Sequence, residues 1–222
     1  TYGLKQRRVY FTCDPESDED RVTTEYLRDT CAQAGHQTEF VAIGDIGLND
    51  GRFVDLQDRP IEALFKLYPW EWLLQDKFGA SIAASDTLFI EPAWKMILSN
   101  KGILPLLWAL HPGHPNLLPA CFEDDPRAAE LGNSYVRKPL YSREGANIQF
   151  VVDGKVADSD DGPYGEEGFI RQAAAPLPVF DGNYAVIGSW LAAGMPCGLS
   201  VREDATLITK NTSRFVPHAI IG

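Results

Sequence analysis

The chain has 222 residues, 45% of them hydrophobic and 11% aromatic, with 31 Asp and Glu against 20 Lys and Arg, a formal charge of −11 and a pI near 4.8. That apolar content builds a core and excludes disorder throughout, while the acidity excludes phosphate-backbone binding, which needs dense Lys and Arg to release counterions. The charge suits a cationic or neutral small molecule, or simply keeps the chain soluble, and no nucleic-acid partner is expected. No stretch approaches the ~20 apolar residues of a membrane span, and TYGLKQRRVYF lacks the apolar region of a signal peptide, so no membrane contact and a cytoplasmic location are expected. A start without methionine fits a processed chain or a fragment. Cys13, Cys31, Cys121 and Cys197 are far apart, with no CxxC pair and no histidine at zinc spacing, and read as reduced structural thiols.

Arg8 to Thr12 predicts a strand, and Ser17 with Asp20 three residues on predicts a capped helix that Gly35 closes. Val22, Tyr26, Cys31 and Ala34 give it an approximate apolar face, and Thr38 to Ile43 follows as a second strand, completing a strand-helix-strand unit. FKLYPWEWLLQDKF, Phe65 to Phe78, is an aromatic tract for the core or a contact surface over Tyr68 to Trp72, broken at Pro69, which can start a helix. Thr87 to Ile90 predicts a strand, Ala93 to Leu98 a helix, and Ile103 to Leu110 an apolar run beyond Lys101. After the turn-rich HPGHPN the strands come close together: Tyr135 to Leu140, Ile148 to Val152, Phe169 to Ala173, Tyr184 to Leu191, Leu199 to Arg202 and Thr206 to Thr209, with Asp153-Gly154 and Asp181-Gly182 as hairpin turns. An α/β first half packed on a largely antiparallel sheet is expected, α+β overall.

Lys138 lies on a predicted strand, immediately before Pro139 and the loop LYSREGAN. A lysine so placed neutralises phosphate oxygens while Arg143 and the backbone around Gly145 cradle them, although an exposed hairpin with scattered charges reads the same. Neither GxxxxGK[ST] nor GxGxxG is present. Lys101, between apolar stretches, reaches an anion or sits at a helix end. FIRQAAAPL, Phe169 to Leu177, suits an adenine slot served by backbone groups or a buried strand end. Arg202 in VRED forms a surface ion pair or meets developing negative charge. Asp14, Glu16, Asp18, Glu19 and Asp20 read as a solvated helix start or as an amine-recognising cluster, and His111 and His114 as turn residues.

In order along the chain, FKLYPWEWL, IEPAWKMILSNKGILPLLWALHPGHPNLLPA, YVRKPLYSREGANI, GNYAVIGSWL and VREDATLITKNTSRFVPH resemble the glutathionylspermidine synthase family over nearly the whole chain, and look nearest to its amidase-free branch. The resemblance implies an ATP-grasp fold of the permuted kind seen in glutathione synthetase, residues 1–110 forming an α/β substrate-side region and 111–222 the ATP-grasp sheet region. It implies an ATP-dependent carbon-nitrogen ligase joining a carboxylate, glutathione or another peptide, to an amine, with ATP and Mg2+ as cofactors. Lys101 and Lys138 would contact ATP phosphates; Arg143, Glu144 and Gly145 would lie in the loop closing over them. Gln172, Ala173, Ala174 and Ala175 would form the hinge beside the adenine, and Leu207, Ile208 and Thr209 would line its pocket. Arg202 matches an arginine near the transferring phosphate, and Glu19 with Asp20 an acidic pair that binds glutathione. Two positions depart from the pattern: Val186 replaces a glutamine, and Arg214 stands where an acid holds spermidine. The family's metal-binding Arg-x-Asp and Glu-x-Asn elements, which precede the segment matching Thr1, are not found, so no metal ligand is expected in this chain.

Overall fold

In the computed structural model, which describes residue 4 and residues 7–220, the chain divides into two compact units, 1–96 and 97–222. The family resemblance implies functional halves divided at 110/111. The division by compactness comes earlier because the helix at residues 103–110 packs on a strand of the second unit and the Lys101 N–H donates to the Leu140 carbonyl at 2.8 Å.

In the first unit, β1 (Val9–Cys13) is buried at every residue. α1 (Asp18–Gln33) follows, its first turn capped by Ser17, whose Oγ accepts the Asp20 N–H at 3.3 Å, and the chain turns out of it at Gly35 with φ +88°. The expected apolar face of α1 is corrected: Val22 and Tyr26 are 62% and 70% exposed. The inward stripe is fully buried Thr24 with half-buried Leu27, Arg28 and Cys31. These stand at i, i+3, i+4 and i+7, whereas the step from 26 to 31 breaks helical spacing.

β2 (Thr38–Phe40) returns parallel to β1, shorter than expected because Ile43–Asp45 forms a 3-10 turn. β3 (Gly47–Asn49) and β4 (Arg52–Val54) make a hairpin absent from the sequence reading, turned by Asp50-Gly51 at φ 46° and 75°. β5 (Ala63–Leu67) pairs with the other side of β1, and the aromatic tract divides there: Phe65 stays in the strand while Pro69 opens α2 (Trp70–Leu73), burying Trp70 and Leu73. β6 (Leu88–Ile90) completes a parallel sheet in the order β2-β1-β5-β6. Tyr10, Val41, Phe53, Ile61 and Leu64 form its core.

α3 (Met96–Ser99) spans the boundary, and α4 (Ile103–Leu110) begins the second unit. β7 (Ala120–Phe122), β8 (Tyr135–Pro139), β9 (Gln149–Val152), β10 (Lys155–Ser159) and β11 (Phe169–Ala173) form an antiparallel sheet in the order β10-β9-β8-β11-β7. β12 (Val179–Phe180), β13 (Asn183–Ala192), β14 (Met195–Asp204) and β15 (Arg214–Val216) form a second antiparallel sheet in that order. Asp153-Gly154 and Asp181-Gly182 are the expected hairpin turns, with φ positive at both residues of each. Thr206 to Thr209, expected as a strand, is a bend. Its Leu207 and Ile208 N–H groups donate to the Asp158 carboxylate instead of a neighbouring strand.

Candidate nucleotide site

Direct partners in an antiparallel ladder share a face, as do alternate residues of one strand. Lys138 pairs with Ile170, Val136 with both Gln172 and Phe150, so Lys138, Gln172 and Phe150 lie on one face of the five-stranded sheet. Arg137 and Arg171 pair with each other on the opposite face, where Glu123 neutralises them through Oε contacts of 2.6 Å and 2.7 Å to Arg137 and 3.5 Å to Arg171. Alternation thus sorts the cations of β8 and β11 into a carboxylate-paired face and one carrying Lys138.

The Lys138 Nζ donates to Gln172 Oε1 at 2.7 Å, and Gln172 is itself buried. That partner is neutral, and among the described residues no carboxylate forms a salt bridge with Lys138. Burial pushes its ammonium pKa down, because a low-dielectric surrounding disfavours the charged form. A half-buried cation held by an amide is suited to receive an anion.

The chain leaving β8 forms the loop expected to cradle phosphate. Lys101, in the turn between α3 and α4, donates through Nζ to the carbonyl and the hydroxyl of Ser142, both at 2.8 Å. Glu144 and Gly145 follow with φ 55° and 84°. A Cβ on Gly145 would stand 2.8 Å from Ile208 Cγ2 and 2.8 Å from the Thr209 carbonyl oxygen. The backbone at Gly145 therefore approaches the 207–209 segment as closely as a glycine permits. Arg143 and Glu144 line an open cavity of about 450 Å³ with Asp160, Tyr164 and Lys210. Gly145 and the 207–209 segment come into contact although more than sixty residues separate them in sequence.

Arg202, on β14 opposite Val186, donates through Nη2 to the carbonyls of Lys210, Asn211 and Ser213 at 2.5 Å, 3.2 Å and 3.0 Å, and its guanidinium lies 4.9 Å from the Phe215 ring centroid. Its buried Nε has no partner among the described residues. The expected surface ion pair is not what Arg202 makes: its donors hold the 210–213 turn. Asp204 assists, accepting the Ser213 hydroxyl at 2.5 Å and the Thr206 N–H at 2.9 Å, and these bonds hold its carboxyl below the usual range. β11 ends at Ala173, whose N–H donates to the Pro119 carbonyl at 2.8 Å, and half-buried Ala174 and Ala175 run on without regular structure toward the second sheet.

Glu19 and Asp20 lie in the first turn of α1, in the other unit. Arg214 pairs with Glu203 at 2.8 Å and donates to Asn183 Oδ1 at 3.2 Å. Sequence reasoning missed Ser142, Asp158 and Asp204, whose partners are visible only once the strands are paired. His111 and His114 stand in the exposed turn after α4. Among the described residues no group of three or more His, Cys, Asp or Glu could hold a metal ion. No helix among them is long and apolar enough to cross a membrane.

A family model described as glutathionylspermidine synthase preATP-grasp matches residues 2–221. The chain belongs to the glutathionylspermidine synthase family. It is 44% identical over 91% of its length to a Haemophilus influenzae protein named "Putative acid--amine ligase", of which it spans 53%. It is 31% identical over 94% of its length to the trypanothione synthetase of Crithidia fasciculata, of which it spans 35%, and 26% identical over 91% to the bifunctional glutathionylspermidine synthetase/amidase of Escherichia coli, of which it spans 37%. The chain thus covers about half or less of these relatives. Among solved structures, that of the D-cycloserine synthetase DcsG superposes with a TM-score of 0.59 at 15% identity, over 96% of this chain and 75% of that one. The fold is that of the ATP-grasp ligases.

Proposed function

We propose that this member of the glutathionylspermidine synthase family supplies the nucleotide-binding face of an ATP-dependent carboxylate-amine ligase. The observation that carries this reading is half-buried Lys138 held by the neutral Gln172, on the sheet face it shares with that residue. In this reading Lys101 and Lys138 offset the charge of the ATP phosphates. Arg143, Glu144 and Gly145 belong to a loop that closes over them and excludes water. Gln172 to Ala175 and Leu207 to Thr209 hold the adenine, and Arg202 meets the charge developing on the transferring phosphoryl group.

The γ-phosphate passes to a carboxylate oxygen and ADP leaves. The amine nitrogen then attacks the acyl carbon of the acylphosphate, expelling phosphate and losing a proton. Magnesium, when bound with ATP, would screen the phosphate charge; the described residues gather no group of three or more carboxylate, His or Cys ligands for it. Glu19 and Asp20 receive the carboxylate-bearing substrate, glutathione or another peptide, through its cationic amino group. Arg214, ion-paired with Glu203, stands where the family pattern has an acid and offers a polycation no carboxylate, so an amine other than spermidine is the proposed nucleophile.

The test adds hydroxylamine to the chain with MgATP and glutathione. The ligase reading expects glutathione-dependent ADP release with a hydroxamate in equal amount, the trapped acylphosphate. A second reading, nucleotide binding without turnover by this segment alone, is favoured by the engagement of Arg202 Nη2 with three carbonyls. ADP binding with no hydroxamate would select it.

A further inference from the structure

The strongest unassigned feature of the second unit is a carboxylate on its edge strand. In β10, Val156 pairs with Val151 and Asp158 with Phe150, so Ala157 is an extra residue, a β-bulge. Without the bulge, Val156 and Asp158 would share a face. With it, Asp158 moves to the face of Phe150, which is the face of Lys138 and Gln172. Asp158 is half-buried there although its neighbours Ala157 and Ser159 are exposed. Its Oδ2 accepts the N–H groups of Leu207 and Ile208 at 3.0 Å and 3.3 Å. Two residues on, Asp160 pairs with Lys210 Nζ at 3.5 Å. Ile208 and Thr209 are the residues against which Gly145 is seated.

We propose that Asp158 is a positioning residue for the nucleotide base: by holding the Leu207 and Ile208 amides it fixes the 207–209 segment against the Gly145 loop and on the Lys138 face of the sheet. The inference rests on the nucleotide reading above, and it separates two jobs within that site. The phosphates are met by Lys101, Lys138 and the loop, whereas the base depends on the 207–209 backbone and hence on Asp158. Asp158 itself touches no nucleotide atom in this scheme.

The experiment is calorimetric titration of the chain and of its Asp158→Ala and Asp158→Asn variants with two probes, ADP and inorganic tripolyphosphate. Charge-assisted bonds are about twice as strong as neutral ones, so Asp158→Ala is expected to weaken ADP about tenfold or more and Asp158→Asn, which keeps an acceptor, about threefold. Tripolyphosphate affinity stays within about twofold of the parent in both, because it has no base to meet the 207–209 backbone and is held by Lys101, Lys138 and the loop, whose lysines are positioned by Ser142 and Gln172 and not by Asp158. A general loss of structure would lower both probes together, and an equal loss of both overturns the proposal. So does ADP affinity unchanged in the Asn variant, which conserves shape and folds most readily. If the parent chain itself binds neither probe, the nucleotide reading fails first and the role of Asp158 with it.

Discussion

At the scale of single residues, half-buried Lys138 and buried Asp55 are handled in opposite ways. Lys138 has a neutral partner and burial lowers its ammonium pKa, an arrangement suited to the incoming anion proposed above. Asp55 is fully answered: 6% exposed, it accepts the Tyr10 hydroxyl at 2.9 Å, the Gln57 and Arg59 N–H groups at 2.9 Å and 3.0 Å, and Arg59 Nε at 2.7 Å. Burial pushes its carboxyl up, but the Arg59 and Gln57 backbone bonds, then the Tyr10 hydroxyl and the Arg59 guanidinium, outweigh it and bring the pKa down to about 2. The folded value lies below the unfolded one, so this stabilisation is complete above about pH 4 and is lost as the pH falls from there toward 2. Asp55→Asn should therefore lower stability at pH 7 by about 1–3 kcal/mol in urea unfolding, with the gap to the parent closing as the pH approaches 2. A gap of equal size at pH 7 and pH 2.5 would contradict this role.

At the scale of elements, the local signals were legible and the non-local ones were not. Ser17 and Asp20 marked the start of α1, and Asp153-Gly154 and Asp181-Gly182 marked hairpins, because each device acts within four residues. Thr206 to Thr209 has a strand's composition, yet its Leu207 and Ile208 amides belong to Asp158, some fifty residues earlier in the chain, and no local pattern announces that. The bulge at Ala157 hid Asp158 in the same way, since alternation counted along KVADS assigns it to the wrong face. Val22 and Tyr26 misled because apolar type was weighed above helical spacing. The loop at Gly145 combines both kinds of information: the glycine is visible in the sequence, its reason is not. Gly145→Ala would force a side chain at φ 84° to within 2.8 Å of the Thr209 carbonyl, at a strain of about 1–2 kcal/mol. ADP affinity should fall about tenfold with it, and an unchanged isotherm would show that the loop does not need its present approach to the 207–209 segment.

At the scale of the whole molecule, the first unit holds Glu19 and Asp20, in the first turn of α1, and the second unit holds every residue expected to meet ATP, on its strands, loops and turns. The family pattern made those residues legible as a set; pairing the strands added which of them share a face and what holds them. The proposed ligase site depends on Lys138 acting as a phosphate-binding cation. It is tested most directly by calorimetric titration of ADP into the chain and into Lys138→Ala. Binding by the parent and its loss in a Lys138→Ala variant that melts at the parent's temperature or above is the predicted result, since the substitution removes a half-buried charge that no carboxylate among the described residues pairs with. Equal ADP affinity in the two proteins would contradict it.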